Sequence, residues 1–274
     1  MISSRTRFYN EGDERRCGRN NLEEVKGEVV QIAKKFCQRN PAVLELGCGR
    51  GALKDAFANY AGVDISLYIL KRYFKGKNVV QADMQDLPIR DSSVDFVFSV
   101  AAIEHVPNPE KVFCEVDRVL KKGGMAYLAP AWFCKPWAAE GLPIRQYSEL
   151  NLWNRIRKFL IPMRDHIIWQ GLMTIPKRIL TEIGTILVKR PLPFKYKKLK
   201  PDLEQYFCSD SDAFTSMDPH MAILYYHSRG YGIINCNSFI GRILYKHKPV
   251  IVQKGGSEDE KRFMEDVRVE KGLS

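Results

Sequence analysis

The chain has 274 residues, 45% of them hydrophobic and 27% charged, which is the composition of a globular protein large enough to bury a sizeable core. It contains no apolar run of about 18 residues and no apolar segment after its N-terminal arginines, which disfavours a membrane-spanning helix and a secretory signal. The seven scattered cysteines include no C-x-x-C pair, so neither a disulfide framework nor a metal site is expected, and a reducing cytoplasm is favoured.

The net charge of +11 is concentrated in one segment. Residues 150–200 contain twelve lysines and arginines but only two acids, Asp165 and Glu182. Nearly all of the basic excess therefore lies there, which predicts one surface that meets a negatively charged partner.

The first 130 residues predict strands that alternate with helices. An amphipathic helix over residues 21–39 precedes predicted strands at residues 42–46, 61–65, 79–82, 94–100 and 125–129. Helices are expected after the glycine turn (with Leu53, Ala56 and Phe57), over Leu67–Phe74, and from the cap Asn108-Pro109-Glu110 to a stop at Lys121-Lys122-Gly123-Gly124. Such regular alternation predicts an α/β fold with a doubly wound parallel sheet.

The alternation stops after residue 130. Residues 131–216 predict a basic, mostly helical insertion between strands five and six, and its two apolar stripes are Leu152, Trp153, Ile156, Phe159 and Leu160, then Ile179, Leu180, Ile183, Ile186 and Leu187. Residues 217–254 return to the core, with a helix from Asp218-Pro219 to Arg229 and strands at Tyr231–Phe239 and Lys248–Gln253. The expected organisation is thus a core over 1–130 and 217–254, an insertion over 131–216 and a charged tail over 255–274.

A glycine-rich turn follows the first predicted strand, in Val43-Leu44-Glu45-Leu46-Gly47-Cys48-Gly49-Arg50-Gly51. Its glycines permit a tight turn and close approach to a ligand, and with Ala52 the turn also fits the dinucleotide-binding pattern. Three acids favour another nucleotide-type cofactor. Glu45 suits an ammonium group, Asp64 at the end of strand two suits ribose hydroxyls, and Asp83 with apolar Met84 suits an exocyclic amine and an adenine face.

Together these motifs resemble the class I S-adenosylmethionine-dependent methyltransferases, in particular the methyltransferase type 11 group. The similarity covers about residues 40–130 and continues through Leu87-Pro88, Ser93-Val94-Asp95-Phe96-Val97, Glu104-His105-Val106 and Arg118-Val119-Leu120-Lys121-Lys122-Gly123-Gly124. It implies a Rossmann-like seven-stranded sheet with a reversed final strand, and S-adenosyl-L-methionine as cofactor. The glycine loop would bind the methionine part, Asp64 the ribose, and Asp83 with Met84 the adenine. The full set of expected cofactor-binding residues is Glu45, Gly47, Cys48, Gly49, Gly51, Asp64, Ile65, Asp83, Met84 and Ala101.

The chemistry implied by this resemblance is methyl transfer, which needs a base only when the acceptor loses a proton. His105, just after strand four, is the candidate catalytic base, and a polar contact that shapes the pocket is the alternative. The sequence Ser99-Val100-Ala101-Ala102 lacks both the Asn/Asp-Pro-Pro-Tyr motif and a Pro-Cys nucleophile. Their absence disfavours amino methylation of nucleic acids and cytosine C5 methylation, and leaves open a hydroxyl or amine of a small-molecule, lipid-linked or glycan acceptor, which is the function expected here.

The insertion is expected to cap the acceptor pocket. Trp153, Asp210 and Asp212 are the candidate substrate contacts, and the basic, aromatic segment 150–200 suits peripheral contact with the inner face of a membrane. Nucleic acid is the less favoured partner, since no RNA-binding module is evident. An RNA methyltransferase and a noncatalytic binding module are the alternatives, with a dinucleotide-dependent oxidoreductase more distant.

Overall fold

A seven-stranded sheet forms the centre of the structure, a computed structural model that describes residues 4–10, 23–187, 190–201, 203, 210–236 and 238–255. The strands are β1 (Val43–Leu46), β2 (Tyr60–Asp64), β3 (Val79–Gln81), β4 (Val94–Val100), β5 (Leu120–Ala129), β6 (Lys197–Lys198), β7 (Thr215–Ser216), β8 (Gly232–Ile233) and β9 (Val250–Gln253). The α-helices are α1 (Ser4–Asn10), α2 (Glu23–Phe36), α3 (Leu67–Tyr73), α4 (Pro109–Val119), α5 (Pro136–Ala139), α6 (Leu152–Phe159), α7 (Ile161–Asp165), α8 (Ile167–Leu187), α9 (Pro219–His227) and α10 (Phe239–Ile243).

The order of the main sheet is β3-β2-β1-β4-β5-β9-β8, and β6 with β7 forms a separate pair. Strands β1 to β5 run parallel to their neighbours, whereas β9 runs antiparallel to β5. This arrangement confirms the Rossmann-like sheet with a reversed final strand. It also brings the carboxyl ends of β1, β2 and β4 to one edge, where ligands of open α/β sheets bind.

Helices cover both faces of the sheet. Side chains alternate along β4, so that Val97 packs with α4 and α9 on one face, while Phe96 and Phe98 pack with α2 on the other. All three are fully buried, which explains why the β4 sequence is almost continuously apolar. The α4 helix begins as expected, because the Asn108 side chain accepts from the Lys111 amide.

The predicted helix after the glycine turn is wrong, since residues 52–59 form consecutive turns instead. The amide of Lys54 donates to the Gly51 carbonyl and that of Ala56 to Leu53, so each bond spans three residues rather than four. The length of the connection explains the difference: β1 and β2 are parallel, so the chain must return along a strand of roughly 13 Å. Eight helical residues would cover only about 12 Å with nothing left for the two corners.

The second difference lies near the C-terminal end of the sheet. Only Gly232–Ile233 of the predicted strand 231–239 pairs with β9, and Phe239 begins helix α10. The chain turns because Asn235 donates from its side chain to the Tyr245 hydroxyl, and Ser238 caps α10 by accepting from the Gly241 amide. A third difference is that residues 121–124, predicted as a helix stop, already belong to β5, with a shift in register against β4.

Helices α5 to α8 and the β6–β7 pair lie between β5 and α9 in the chain. The predicted apolar stripes fall on α6 and α8, although nothing is described for the side chains of Ile186 and Leu187. The predicted tail lies outside the described residues apart from Gly255. None of the helices in the described ranges combines the length and apolar character needed to cross a bilayer.

Candidate active site

The glycine turn is fastened to the end of β2. The amides of Gly47 and Cys48 both donate to the Val63 carbonyl, at 2.8 and 3.0 Å. Gly47, Gly49 and Gly51 have φ angles of 72°, 48° and 73°, in the left-handed region that favours glycine. The turn therefore needs glycine for its backbone conformation at all three positions.

Gly47 and Gly49 differ in what surrounds them. A Cβ added at Gly47 would lie 2.4 Å from the Cβ of Ala102 and 3.3 Å from the Cε of Met84, so this glycine lets the loop after β4 pack against the turn. A Cβ added at Gly49 would meet no atom within 4 Å. The turn is thus packed against Ala102 and Met84 at Gly47 and is open at Gly49, where a ligand can approach the backbone.

Asp64 is held in one orientation at the end of β2. Its Oδ2 accepts from the Gly49 amide at 2.9 Å, and its Oδ1 accepts from the Ser66 amide at 2.8 Å. Burial raises the pKa of this carboxyl, and the amide hydrogen bonds oppose that rise. Asp64 therefore joins the glycine turn to the start of α3, where Ser66 caps the helix by accepting from Ile69.

Glu45 is buried in the interior of the same edge. Only 5% of the residue is exposed, and its Oε2 accepts a hydrogen bond of 2.5 Å from the Tyr60 hydroxyl. Burial raises the pKa of Glu45 to about 8; the bond from Tyr60 lowers it and the nearby charge of Asp64 raises it further. Much of Glu45 is therefore protonated at neutral pH, and a cation placed beside it would favour its ionised form.

Asp83 and Met84 follow β3. The carboxylate of Asp83 accepts from the main-chain amide of Gln85 at 3.1 Å and from its side-chain amide at 3.0 and 3.1 Å. Gln85 in turn accepts from the Asn108 amide, so the loop after β3 is tied to the start of α4. Met84 is half-buried beside Gly47, as described above.

The other predicted cofactor residues have less distinctive surroundings. Cys48 is 3% exposed, and burial raises the pKa of its thiol far above the neutral range, which makes it an inert packing residue. Ala101, at the end of β4, has a φ of 48° and donates to the Ala129 carbonyl. Ile65 is half-buried and its carbonyl accepts from Gln81.

His105 and Asp212 meet beside this edge, although 107 residues separate them. The Nδ1 of His105 lies 3.2 Å from the Asp212 carbonyl oxygen and 3.4 Å from Asp212 Oδ2. Its Nε2 lies 3.7 Å from Oε1 of Glu104. Burial of the ring lowers the pKa of His105, but Glu104 and Asp212 raise it by more, so that it lies above the usual 6.5.

Glu104 is a site residue that the sequence did not predict. It is 2% exposed, and its Oε2 has no hydrogen-bond partner within the described part of the chain. Burial raises the pKa of its carboxyl, while the neighbouring His105 opposes the rise. A buried carboxylate oxygen with an unused lone pair costs free energy unless a ligand or a proton satisfies it.

Tyr9 of α1 connects the two halves of the site. Its hydroxyl donates to Asp212 at 2.9 Å, its carbonyl accepts from the Ser66 hydroxyl at 2.8 Å, and its ring meets the His105 ring edge-on at 6.2 Å. No motif in the sequence indicated this role, because Tyr9 lies 96 residues before His105 in the chain. Helix α1 therefore covers both the Asp64 side and the His105 side.

The remaining substrate candidates lie in different surroundings. Asp210 has a φ of 65°, and its charge raises the pKa of His105. Trp153 lies on α6 and is 67% exposed, so its predicted contact with a substrate stays a prediction. No cluster of metal-ligating side chains occurs among the residues that the structure describes.

Comparison with known proteins assigns part of the chain, residues 44–128, to a family. Residues 44–128 match the family model described as the methyltransferase domain. The chain is 32% identical over 116 residues to a sterol 4-C-methyltransferase of Caenorhabditis elegans, a match that covers 37% of this chain and 35% of that protein. It is 31% identical over 112 residues to a malonyl-[acyl-carrier protein] O-methyltransferase of Hahella chejuensis, covering 37% and 39% of the two chains.

These matches span less than half the length of either curated relative. Among solved structures, the YcgJ protein of Bacillus subtilis is 25% identical, with a TM-score of 0.38 over 44% of this chain and 56% of that one. The family match identifies residues 44–128 as a methyltransferase domain. The family resemblance found in the sequence is thereby confirmed.

Proposed function

We propose that this chain, which contains a methyltransferase domain, is an S-adenosyl-L-methionine-dependent enzyme that methylates a hydroxyl or amine. The observation that carries the proposal is the meeting of two sites at one edge of the sheet. Asp64 binds the open glycine turn through Gly49, and His105 contacts Asp212 beside it. Tyr9 contacts both sides, through Ser66 and Asp212.

The cofactor side carries carboxylates that would accept hydrogen bonds from S-adenosylmethionine. Glu45 would bind the ammonium group, Asp64 the ribose hydroxyls, and Asp83 with Met84 the adenine. The open space at Gly49 supports close approach of the ligand to the turn. When bound, the cofactor supplies a methyl group on a positively charged sulfur, which is an already activated donor.

His105 would accept the proton that the acceptor loses. Because the Asp212 carbonyl can only accept a hydrogen bond, Nδ1 of His105 carries the proton of the neutral ring and Nε2 holds the lone pair. Nε2 would take the proton from a hydroxyl or amine as the new bond to carbon forms. The charges of Glu104 and Asp212 favour the resulting imidazolium.

The acceptor class rests on weaker support. One relative is named for a sterol and the other for a malonyl group on acyl-carrier protein. Of the proposed small-molecule, lipid-linked or glycan acceptors, these names support the first two. The basic segment 150–200 would lie against the inner face of a membrane, with residues 131–216 capping the acceptor side and Asp210, Asp212 and Trp153 as candidate contacts.

Calorimetric titration with S-adenosylmethionine tests the proposal. Wild-type protein should bind the cofactor, and Asp64→Ala should weaken binding by at least about tenfold, since a charge-assisted contact to the ribose is lost. Asp55→Ala is the matched control, because Asp55 is exposed and pairs with Lys77 at the surface. Wild-type affinity in Asp64→Ala, or tighter binding of a nicotinamide dinucleotide, would overturn the proposal.

A further inference from the structure

Helices α6, α8 and α10 each expose large apolar side chains. A soluble protein rarely exposes many large apolar side chains together unless they bind a partner or a membrane. Here the most exposed ones are Leu152, Trp153 and Phe159 of α6, Ile168, Leu172, Met173 and Leu180 of α8, and Ile240 of α10, each between 64% and 76% exposed. We call the exposed apolar side chains of these three helices the apolar face.

Helix α8 is fixed to the core by buried charges on its other side. Arg178 is 2% exposed and donates to both oxygens of Asp218, at 2.6 and 3.2 Å. Glu182 is similarly buried and accepts from Arg242 at 2.7 and 3.0 Å, with His220 at 3.2 Å. Because these groups are paired with α9 and α10, α8 cannot rotate to bury its apolar face.

A groove of about 270 Å³ separates α8 from α10 and the residues after it. Its lining is Ile168, Gly171, Thr174, Ile175, Arg178, Ile243, Leu244 and Lys246. Two of these residues are exposed: Ile168, which belongs to the apolar face, is 65% exposed, and Leu244, which directly follows α10, is 58% exposed. The volume lies just below the range of about 300–1,000 Å³ for drug-sized ligands, which suits one slender chain rather than a bulky ring system.

The charge at the mouth of the groove is positive. Lys246 lines it and makes no ion pair with any residue in the described ranges. Arg178 is neutralised by Asp218, so Lys246 supplies the available charge of the lining. Lys177, which precedes Arg178, and Lys248, two residues after Lys246, are both exposed. An apolar groove with a cation at its mouth complements an acyl chain attached to an anionic headgroup.

We propose that the groove between α8 and α10 binds the acyl chain of an anionic membrane lipid, with the headgroup beside Lys246. The lipid would reach the groove from a membrane on which the apolar face lies. This inference rests on the membrane contact in the proposed function but not on methyl transfer.

Gly171 allows a direct test. A Cβ at this position would meet only the Cδ1 of Ile175, at 3.9 Å, so Gly171→Leu fills the groove without displacing the backbone. Gly184 on the same helix has nothing within 4 Å and does not line the groove, so Gly184→Leu is the matched control. Lys246→Gln removes the cation and keeps the length of the side chain nearly unchanged.

The full chain is titrated calorimetrically with lauroyl lysophosphatidylglycerol below its micelle concentration, and with the lysophosphatidylcholine of the same chain. We expect one saturable site that prefers the anionic lipid. Gly171→Leu should weaken binding by at least about tenfold, Gly184→Leu should leave it within about twofold, and Lys246→Gln should abolish the headgroup preference.

Absence of saturable binding, or equal binding by Gly171→Leu, would overturn the proposal. Self-association of the chain would also overturn it if Gly171→Leu abolishes that self-association, since a second copy would then occupy the groove. Titration of the same samples with S-adenosylmethionine keeps the two proposals apart. Lost cofactor binding with intact lipid binding would contradict only the methyltransferase proposal, and the reverse result would contradict only the lipid site.

Discussion

The Nδ1 of His105 lies 3.2 Å from the main-chain carbonyl oxygen of Asp212, and this contact fixes the orientation of the imidazole ring. With Nδ1 facing an acceptor, the neutral ring carries its proton there, so Nε2, which lies 3.7 Å from Oε1 of Glu104, is the basic nitrogen. The nearby acids stabilise the charged ring and raise the pKa of His105. These properties give the proposed base a defined reactive atom and a defined pH dependence.

At saturating S-adenosylmethionine, methyl transfer should increase with pH through a single inflection above 6.5, because only neutral His105 can accept a proton and its pKa is raised. Asp212→Asn should move the inflection to lower pH, since it removes a negative charge beside the ring. His105→Gln should lower the rate by about 10²–10⁴-fold with little change in cofactor affinity. A pH profile identical in wild type and Asp212→Asn would contradict this role.

Cofactor binding at neutral pH should release a proton from Glu45. Its pKa of about 8 leaves it largely protonated, and the ammonium group of S-adenosylmethionine would favour the carboxylate. Calorimetry in buffers of different ionisation enthalpy measures the protons released. Glu45→Gln should bind more weakly and release none. At pH 8, where about half of Glu45 is protonated, Tyr60→Phe should increase the release because it removes a bond that lowers the Glu45 pKa. Equal proton release by wild type and Glu45→Gln would rule this out.

Alanine at Gly47 and Gly49 should have separable effects. Both positions have positive φ, which costs about 1–2 kcal/mol for alanine. Only Gly47→Ala also places a Cβ against Ala102, so it should lose roughly 1–3 kcal/mol more in the free energy of unfolding. Gly49→Ala should mainly weaken cofactor binding. Urea denaturation and cofactor titration of both variants test the contrast, which a larger stability loss in Gly49→Ala would refute.

The Glu182 network should make stability depend on pH in the acid range. Arg242 and His220 lower the pKa of Glu182 to about 2 despite its burial, against about 4.3 in an unfolded chain. Its contribution is therefore complete above the unfolded pKa and is lost as the pH falls from about 4.3 towards 2. Glu182→Ala should cost about 3–5 kcal/mol at neutral pH, because it removes the buried carboxylate that Arg242 and His220 share.

The control for this loss is Glu140→Ala, which breaks a more exposed pair with Arg157. Its cost should stay below about 1 kcal/mol. Thermal or urea unfolding of both variants at several pH values distinguishes them. A similar stability loss in the two variants would show that the buried network does not hold α8 in place.

The sheet could be predicted because the sequence pattern of each of its elements is local. The apolar run of β4, the Asn108 cap and the glycine turn each specify an element within a few residues. The helix after Gly51 was predicted wrongly because its length is limited by the return between two parallel strands, which is a tertiary constraint. The strand at 231–239 was cut short by side-chain bonds from Asn235 to residues ten and more positions away.

The site residues show the same difference between local sequence evidence and tertiary contacts. Asp64 ends β2 and Asp83 follows β3, so both were predicted from their positions. Their hydrogen bonds with Gly49 and Gln85 are visible only in the structure. Tyr9 and Tyr60 were missed because no spacing links them to Asp212 or Glu45 in the sequence. Glu104 was visible beside His105, but only the fold shows that its carboxylate is buried.

The most direct test of the central claim is transfer of labelled methyl from S-adenosylmethionine into a cell extract that is then separated into lipid, RNA, protein and small-molecule fractions. The wild-type chain should place label in the lipid or small-molecule fraction, and Asp64→Ala should place none. RNase-sensitive label would assign the activity to RNA. Tight cofactor binding without label in any fraction would indicate a noncatalytic binding module and contradict the claim that this chain is an enzyme.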